Sequence, residues 1–220
     1  MIVISLSSNF AGPACAVATS IKKNLYNNKN YPTNFFDYLV ISMKSINELL
    51  NLKENDINFL DKNLKITNNT TDKKTVEFLN FDKMISYHDL KENYIEEDFK
   101  NFIDKYKKRY YRLLNYIKNE KIIFFIRYNE ENDVEIKNFY NIINNINPEL
   151  NFYFINLIYK ENSEELNNDN SDLNNYLSFN FYEINNKNIT YDEDLFYKTL
   201  QFNWEKIFEI INNEYLKIKD

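Results

Sequence analysis

Three runs of almost unbroken apolar residues, Ile2–Ser7, Lys121–Tyr128 and Asn151–Tyr159, limit what this chain can become more than anything else in it. A strand with one face in water alternates apolar and polar residues. These do not, so each predicts a strand covered on both faces, the habit of parallel sheets packed between helices. Between the second and third runs, Asp133–Ile146 places its apolar residues at three- and four-residue steps and stops before Pro148, which predicts an amphipathic helix. A longer one is predicted from about Glu97 to Lys118, with Phe99, Phe102, Ile103, Tyr106, Tyr110, Leu113, Leu114 and Ile117 on one face. Strand alternating with helix points to an α/β fold: a mainly parallel central sheet flanked by helices, three-layered and Rossmann-like. A length of 220 residues suits a single domain over the whole chain.

The remaining segments follow the same signals. Pro13 fits the first position of a helix over Ala14–Leu25, where its missing N–H costs nothing. Ser45–Leu52 and Asn55–Leu60 read as helical and Phe35–Ser42 as a strand or extended stretch. Thr75–Leu79, Met84–His88 and Tyr176–Ile184 read as strands, the last fitting a sheet edge. Asp61–Lys74 and Lys160–Asn175 are polar and read as loops, and Asp192–Lys217 as a closing helix that carries Trp204. Gly12 is the single glycine, so turns that need a positive φ fall to Asn and Asp.

Composition excludes several function classes. A net charge of −6 argues against a general nucleic-acid binder. With one Cys and one His, neither a disulfide framework nor a zinc site is expected, and a reducing compartment is the simpler reading. One glycine cannot build a glycine-rich phosphate loop, and no cofactor is expected. The start, Met1-Ile2-Val3-Ile4-Ser5-Leu6, lacks the basic stretch of a signal peptide, and no segment reaches membrane-spanning length, so a cytoplasmic protein without membrane partners is expected.

The unusual residues gather at predicted strand ends. Ser7 and the Gly12–Cys15 turn follow the first strand, His88 closes the Met84 strand, and Arg127 closes the Lys121 strand. In a parallel sheet those ends share one edge, where ligands bind. As third helical residue, Cys15 would meet the positive end of the helix dipole, an environment that activates thiols. His88 is the candidate base, with Asp37 (a charge inside an apolar run) or Asp89 to orient it. Asn9 and the Cys15 N–H could hold an oxyanion. Arg127 could hold a carboxylate, a phosphate or Asp37. Arg109 and Arg112 lie with Lys105, Lys107 and Lys108 on the long helix, a stripe read as a solvated face.

In order along the chain, Ser5-Leu6-Ser7, Cys15 with its Ala-rich, Lys22-Lys23 helix, Phe36-Asp37-Tyr38, Leu49-Leu50, His88-Asp89, Arg109 with Arg112, and Phe125-Ile126-Arg127 form a series. Over roughly residues 2–160 this series resembles a bacterial and viral domain family described as papain-like cysteine peptidases, whose activity is not established. Ser7 stands where that family carries glycine, Tyr38 where it carries tryptophan, and the loop to Cys15 is longer than in the family. The resemblance implies a cysteine-nucleophile hydrolase of peptide or other acyl bonds, and its title implies an α+β papain-like fold as the alternative. Two rival expectations stand beside it. One is a transferase or binding domain for a phosphorylated or sugar ligand at the strand ends. The other is a catalytically inactive interaction protein, viral in origin and resident in host cytoplasm.

Overall fold

The computed structural model describes residues 1–27, 29, 31–52, 58, 60, 63–68, 73–130, 132–159, 173–181 and 204–219. In chain order the elements are β1 (Ile2–Ser8), α1 (Ala11–Tyr26), β2 (Leu39–Ile41), α2 (Met43–Leu50), β3 (Leu64–Asn68), β4 (Lys73–Phe78) and β5 (Met84–Lys91). They continue with α3 (Glu96–Asn119), β6 (Ile122–Tyr128), α4 (Asp133–Ile146), β7 (Asn151–Tyr159), β8 (Tyr176–Phe181) and α5 (Trp204–Lys219). The eight strands form one mixed sheet in the order β3-β4-β5-β2-β1-β6-β7-β8. From β2 to β8 neighbouring strands are parallel, whereas the β2–β5, β5–β4 and β4–β3 pairs are antiparallel.

The apolar runs are explained by what lies above and below them. Ile4, Leu6, Ile123, Phe125, Phe152 and Phe154 pack with α2, α3 and α4 on one face. Val3, Ile122, Phe124, Ile126, Tyr153 and Ile155 pack with α1 and α5 on the other. Both side-chain sets of a central strand are therefore removed from water, at about 1.5–3 kcal/mol for each large apolar group. No helix among the described residues is long and apolar enough to cross a membrane.

Three sequence expectations change. The stretch 61–74, expected as a loop, contains β3 and the start of β4. An edge strand needs only a few apolar contacts, so Leu64 and Ile66 are half-buried while Lys65 faces water and pairs with Glu77 across the strands at 3.6 Å. The Phe35–Ser42 stretch is a strand only over Leu39–Ile41, because Phe35 and Phe36 turn into the core beneath α3. The expectation that strand ends share one edge fails for β5. Only five residues join β4 to β5, enough for a hairpin and too few for a parallel crossover. Leu39 pairs with Ser86 and Ile41 with Met84, so β5 runs backwards and carries His88 to the edge where β2 begins. The helix expected over 55–60 lies, apart from Asn58 and Leu60, outside the described residues, as do 160–172 of the expected loop, 182–184 of the last strand and 192–203 of the closing helix.

Five non-glycine residues hold positive φ: Ser7, Asn27, Tyr38, Asn129 and Asn175. Asparagine supplies three of them, including the left-handed cap that ends α1 at Asn27. At Ser7 (φ 60°) β1 shifts register between Ser5 and Ser8, and the Ser7 hydroxyl donates to the Leu39 carbonyl. Backbone strain and a hydrogen bond thus oppose each other at one residue. Ser7→Ala keeps the strain and loses the bond, whereas Ser7→Gly relieves the strain. In urea denaturation the Gly variant is expected to exceed the Ala variant in stability by about 1 kcal/mol; equal stabilities would show that the left-handed backbone is not a burden here.

Candidate functional site

Beside the start of β2, the Cys15 thiol feels the Asp89 carboxylate through space. Helix α1 starts at Ala11, with Phe10 as its cap, so Cys15 is the fifth helical residue and not the third. Its N–H is beyond the four donors that a helix start leaves unpaired, which removes it from the expected oxyanion site. The thiol is half-buried, and burial followed by the Asp89 carboxylate pushes it up to about 11. This is the reverse of activation: a thiol in apolar surroundings beside a negative charge stays protonated at neutral pH.

A bulge in β5 sets Asp89. Four steps on β5 (86 to 90) face two on β4 (74 to 76), and the extra residues turn Asp89 toward its own strand. It accepts from the Ser86 hydroxyl at 3.1 Å and from Lys105 Nζ at 2.5 Å, and also from the Tyr106 hydroxyl. Burial would raise this carboxyl, but Lys105 and the two hydrogen bonds outweigh it and hold it below the usual range. His88 is exposed, beside the Tyr87 ring, with centroids 6.4 Å apart. Asp89 is committed to Lys105 and Tyr106 rather than to an imidazole.

Asp37 is fully buried in the loop ahead of β2. Its Oδ2 accepts from the Asn34 N–H at 2.6 Å. Burial raises its carboxyl to about 7, against the pull of Asn34, Tyr31, Arg109 and Arg112. Tyr38 links Asp37 electrostatically to the thiol, because burial, then Asp37 and Cys15, all disfavour its ionised form. Cys15, Asp37 and Asp89 therefore share a neighbourhood, whereas Asn9 and Arg127 belong to the carboxyl ends of β1 and β6.

There a crevice of about 700 Å³ opens between Asn9 and Phe10 after β1, the starts of α2 and α4, and Asn129 and Glu130 after β6. Arg127 lies beneath it with no exposed surface. It donates to the Leu6 carbonyl at 2.7 Å, to Asn9 Oδ1 at 3.2 Å and to Glu130 Oε2 at 3.3 Å and 3.1 Å. Burial lowers its guanidinium to about 10 while Glu130 resists, so it remains charged at neutral pH. Its carboxylate partner is thus Glu130, not Asp37 and not an external anion. Glu130 Oε1 accepts from the Asn132 N–H at 3.2 Å, and Asn156 clamps the Glu130 backbone at 3.0 Å and 2.7 Å.

The walls are tied as firmly. Lys83 Nζ donates to the Asn9 carbonyl at 2.7 Å, and Asn47 on α2 donates to the backbone and side chain of Glu135 on α4, each at 2.8 Å. Ser42 and Asn132 cap α2 and α4 by accepting from the N–H groups of Ser45 and Glu135. Lys44, Asp82, Asp133 and Glu135 supply the charges around the opening. Sequence reasoning missed Glu130, Lys83 and Asn156. Only Glu130 had a local signal, a carboxylate three residues past an arginine that ends a buried strand. Among the described residues no group of three or more His, Cys, Asp or Glu could hold a metal ion.

No family model matches the chain, and neither a curated protein nor a solved structure does.

Two outcomes follow from these environments. Iodoacetamide alkylation of Cys15 is expected to be slow at pH 7.5 and to rise toward an inflection near 11, lower in Asp89→Asn and unmoved in His88→Ala. An inflection below pH 8 that shifts in His88→Ala would instead mean a thiolate–imidazole pair. For Asp37, the folded chain keeps a proton that the unfolded chain releases, so stability falls as pH rises from about 4 to about 7. Asp37→Asn is expected to flatten that slope in urea melts at pH 5 and pH 8; an unchanged slope assigns it to other groups.

Proposed function

We propose that the protein binds a phosphorylated or sugar ligand in the crevice at the carboxyl ends of β1 and β6, as a binding or group-transfer domain. One observation carries this reading: the starts of three helices, α1, α2 and α4, converge on a cavity of about 700 Å³. Helix starts offer unpaired N–H groups and partial positive charge to phosphate oxygens. Asp82 and Asp133 offer acceptors to sugar hydroxyls, and a transferase would draw its base from them.

The strand order supports the same reading. From β1 the chain moves to β2 on one side, and from β6 to β7 on the other. In a doubly wound, Rossmann-like sheet this reversal leaves a gap between neighbouring strand ends, and ligands of this class sit there. The bonds of Arg127, Glu130, Asn156 and Lys83 hold that gap open before any ligand arrives, which lowers the ordering cost of binding.

A second reading keeps Cys15 as the nucleophile of a peptidase or related acyl hydrolase. It rests on the order of motifs shared with the cysteine-peptidase-like family and on the proximity of Cys15 to Asp89. It requires an ionised thiol near neutral pH, and the alkylation profile decides that.

The crevice reading is tested by thermal-shift screening with sugar phosphates and nucleoside-diphosphate sugars. Val134 lines the opening and is 65% exposed, so Val134→Trp blocks it without disturbing the core. At least one ligand is expected to stabilise the parent and to lose its effect in Val134→Trp and Lys44→Glu. A panel without any shift, or shifts that both variants retain, would overturn the proposal.

A further inference from the structure

The basic stripe on α3 is not simply a solvated face. With Tyr31, Pro32 and Thr33 it walls an open cavity of about 490 Å³. Lys105, Lys108, Arg109 and Arg112 line it, and Asp104 is its one lining carboxylate. Lys105 is already paired with Asp89. The two arginines are held in place, and Asp37 acts on both of them and Asp89 on Arg109 through space, without an ion-pair contact. Arg109 lies over the Tyr106 ring at 5.3 Å, and Arg112 Nη2 donates to the Thr33 carbonyl.

Each arginine lines the cavity while one of its nitrogens is turned inward, out of reach of the opening. Arg109 Nη1 and Arg112 Nε are buried and make no hydrogen bond among the described residues. Buried guanidinium N–H groups without an acceptor are costly, since each has lost water and gained nothing. Asp37, the nearby carboxylate, directs its short bond to the Asn34 N–H, and among the described residues no carboxylate is within ion-pair distance of either arginine. Asn34 Oδ1 and Asp37 Oδ1 are also unpaired, but neither lines the cavity.

We propose that this cavity is a second ligand site, specific for a small phosphomonoester, with Arg109 and Arg112 as its anion-binding residues. Planar guanidinium groups suit the tetrahedral dianion because they present N–H groups in forks; two of them match its charge and Lys108 adds to the attraction. The cavity has room beyond the phosphate itself, so the organic part of the ester packs against Tyr31 and Pro32. The site is separate from the crevice of the proposed function and does not depend on it.

The experiment is calorimetric titration of the full chain with inorganic phosphate and with phenyl phosphate, at constant ionic strength. Both are expected to bind, phenyl phosphate more tightly. Arg109→Gln is expected to weaken both by about tenfold or more, the scale of losing a hydrogen bond to a charged group. Lys108→Glu, at an exposed position, is expected to weaken them several-fold and cannot act by unfolding the core, so a poorly folded Arg109 variant leaves the test intact. Val134→Trp is expected to change nothing. Binding that survives Arg109→Gln and Lys108→Glu would overturn the proposal. So would binding that is lost in Val134→Trp, which would place the anion in the crevice, or equal affinity for the two probes, which would remove the ester specificity.

Discussion

The charge sealed beneath the carboxyl edge of the sheet governs the architecture around it. Arg127 has no exposed surface, and a buried guanidinium is tolerated only with its donors satisfied. Its bonds reach back to β1 through Leu6 and Asn9 and forward to Glu130. Glu130 in turn reaches the start of α4 through the Asn132 N–H. One side chain thereby joins the ends of two central strands to a helix start. Such a pair contributes little net stability compared with an apolar replacement, yet removing one partner strands a charge at about 3–5 kcal/mol. Its effect is to define geometry: the gap between the ends of β1 and β6 has its walls in place.

Two chemically different regions result. At the carboxyl edge, three helix starts face a crevice whose polar groups are largely engaged with one another. Around the start of β2, which is only three residues long, α1, α3, β5 and the loop ahead of β2 bring Cys15, Asp37, Asp89 and the arginines of α3 close together. Acids there outcompete the thiol for positive charge. Asp89 takes Lys105, and the cysteine is left protonated. The same crowding leaves Arg109 Nη1 and Arg112 Nε without hydrogen-bond partners among the described residues.

Much of the fold was legible because it is written locally. The helices α3 and α4 repeat their apolar residues at helical spacing, and Pro148 closes one of them. Asn27, Asn129 and Asn175 take the left-handed turns that a chain with one glycine must assign elsewhere. Strand β3 was missed because its alternation is short: Leu64 and Ile66 are its two apolar residues, set in a long polar stretch. The direction of β5 was missed although its signal was present, in the five residues that separate it from β4. The candidate site was less legible. Arg127 is joined to Leu6 across 121 residues, and Lys83 to Asn9 across 74, and no local spacing announces either. The basic residues of α3 were visible as a stripe, but not that one nitrogen in each of two guanidinium groups is buried without an acceptor among the described residues.

By itself the sequence determined which segments are covered on both faces, which helices turn one face to a core, and which residues can bear a positive φ. These depend on neighbours within a turn or a strand, and side-chain periodicity records them. Only the tertiary structure decided whether Cys15 meets an activating or a deactivating charge, which carboxylate Arg127 holds, and which edge of the sheet receives His88. Those outcomes depend on contacts between distant segments and on the dielectric that packing creates, and the energy of a charged group follows its surroundings rather than its place in the chain.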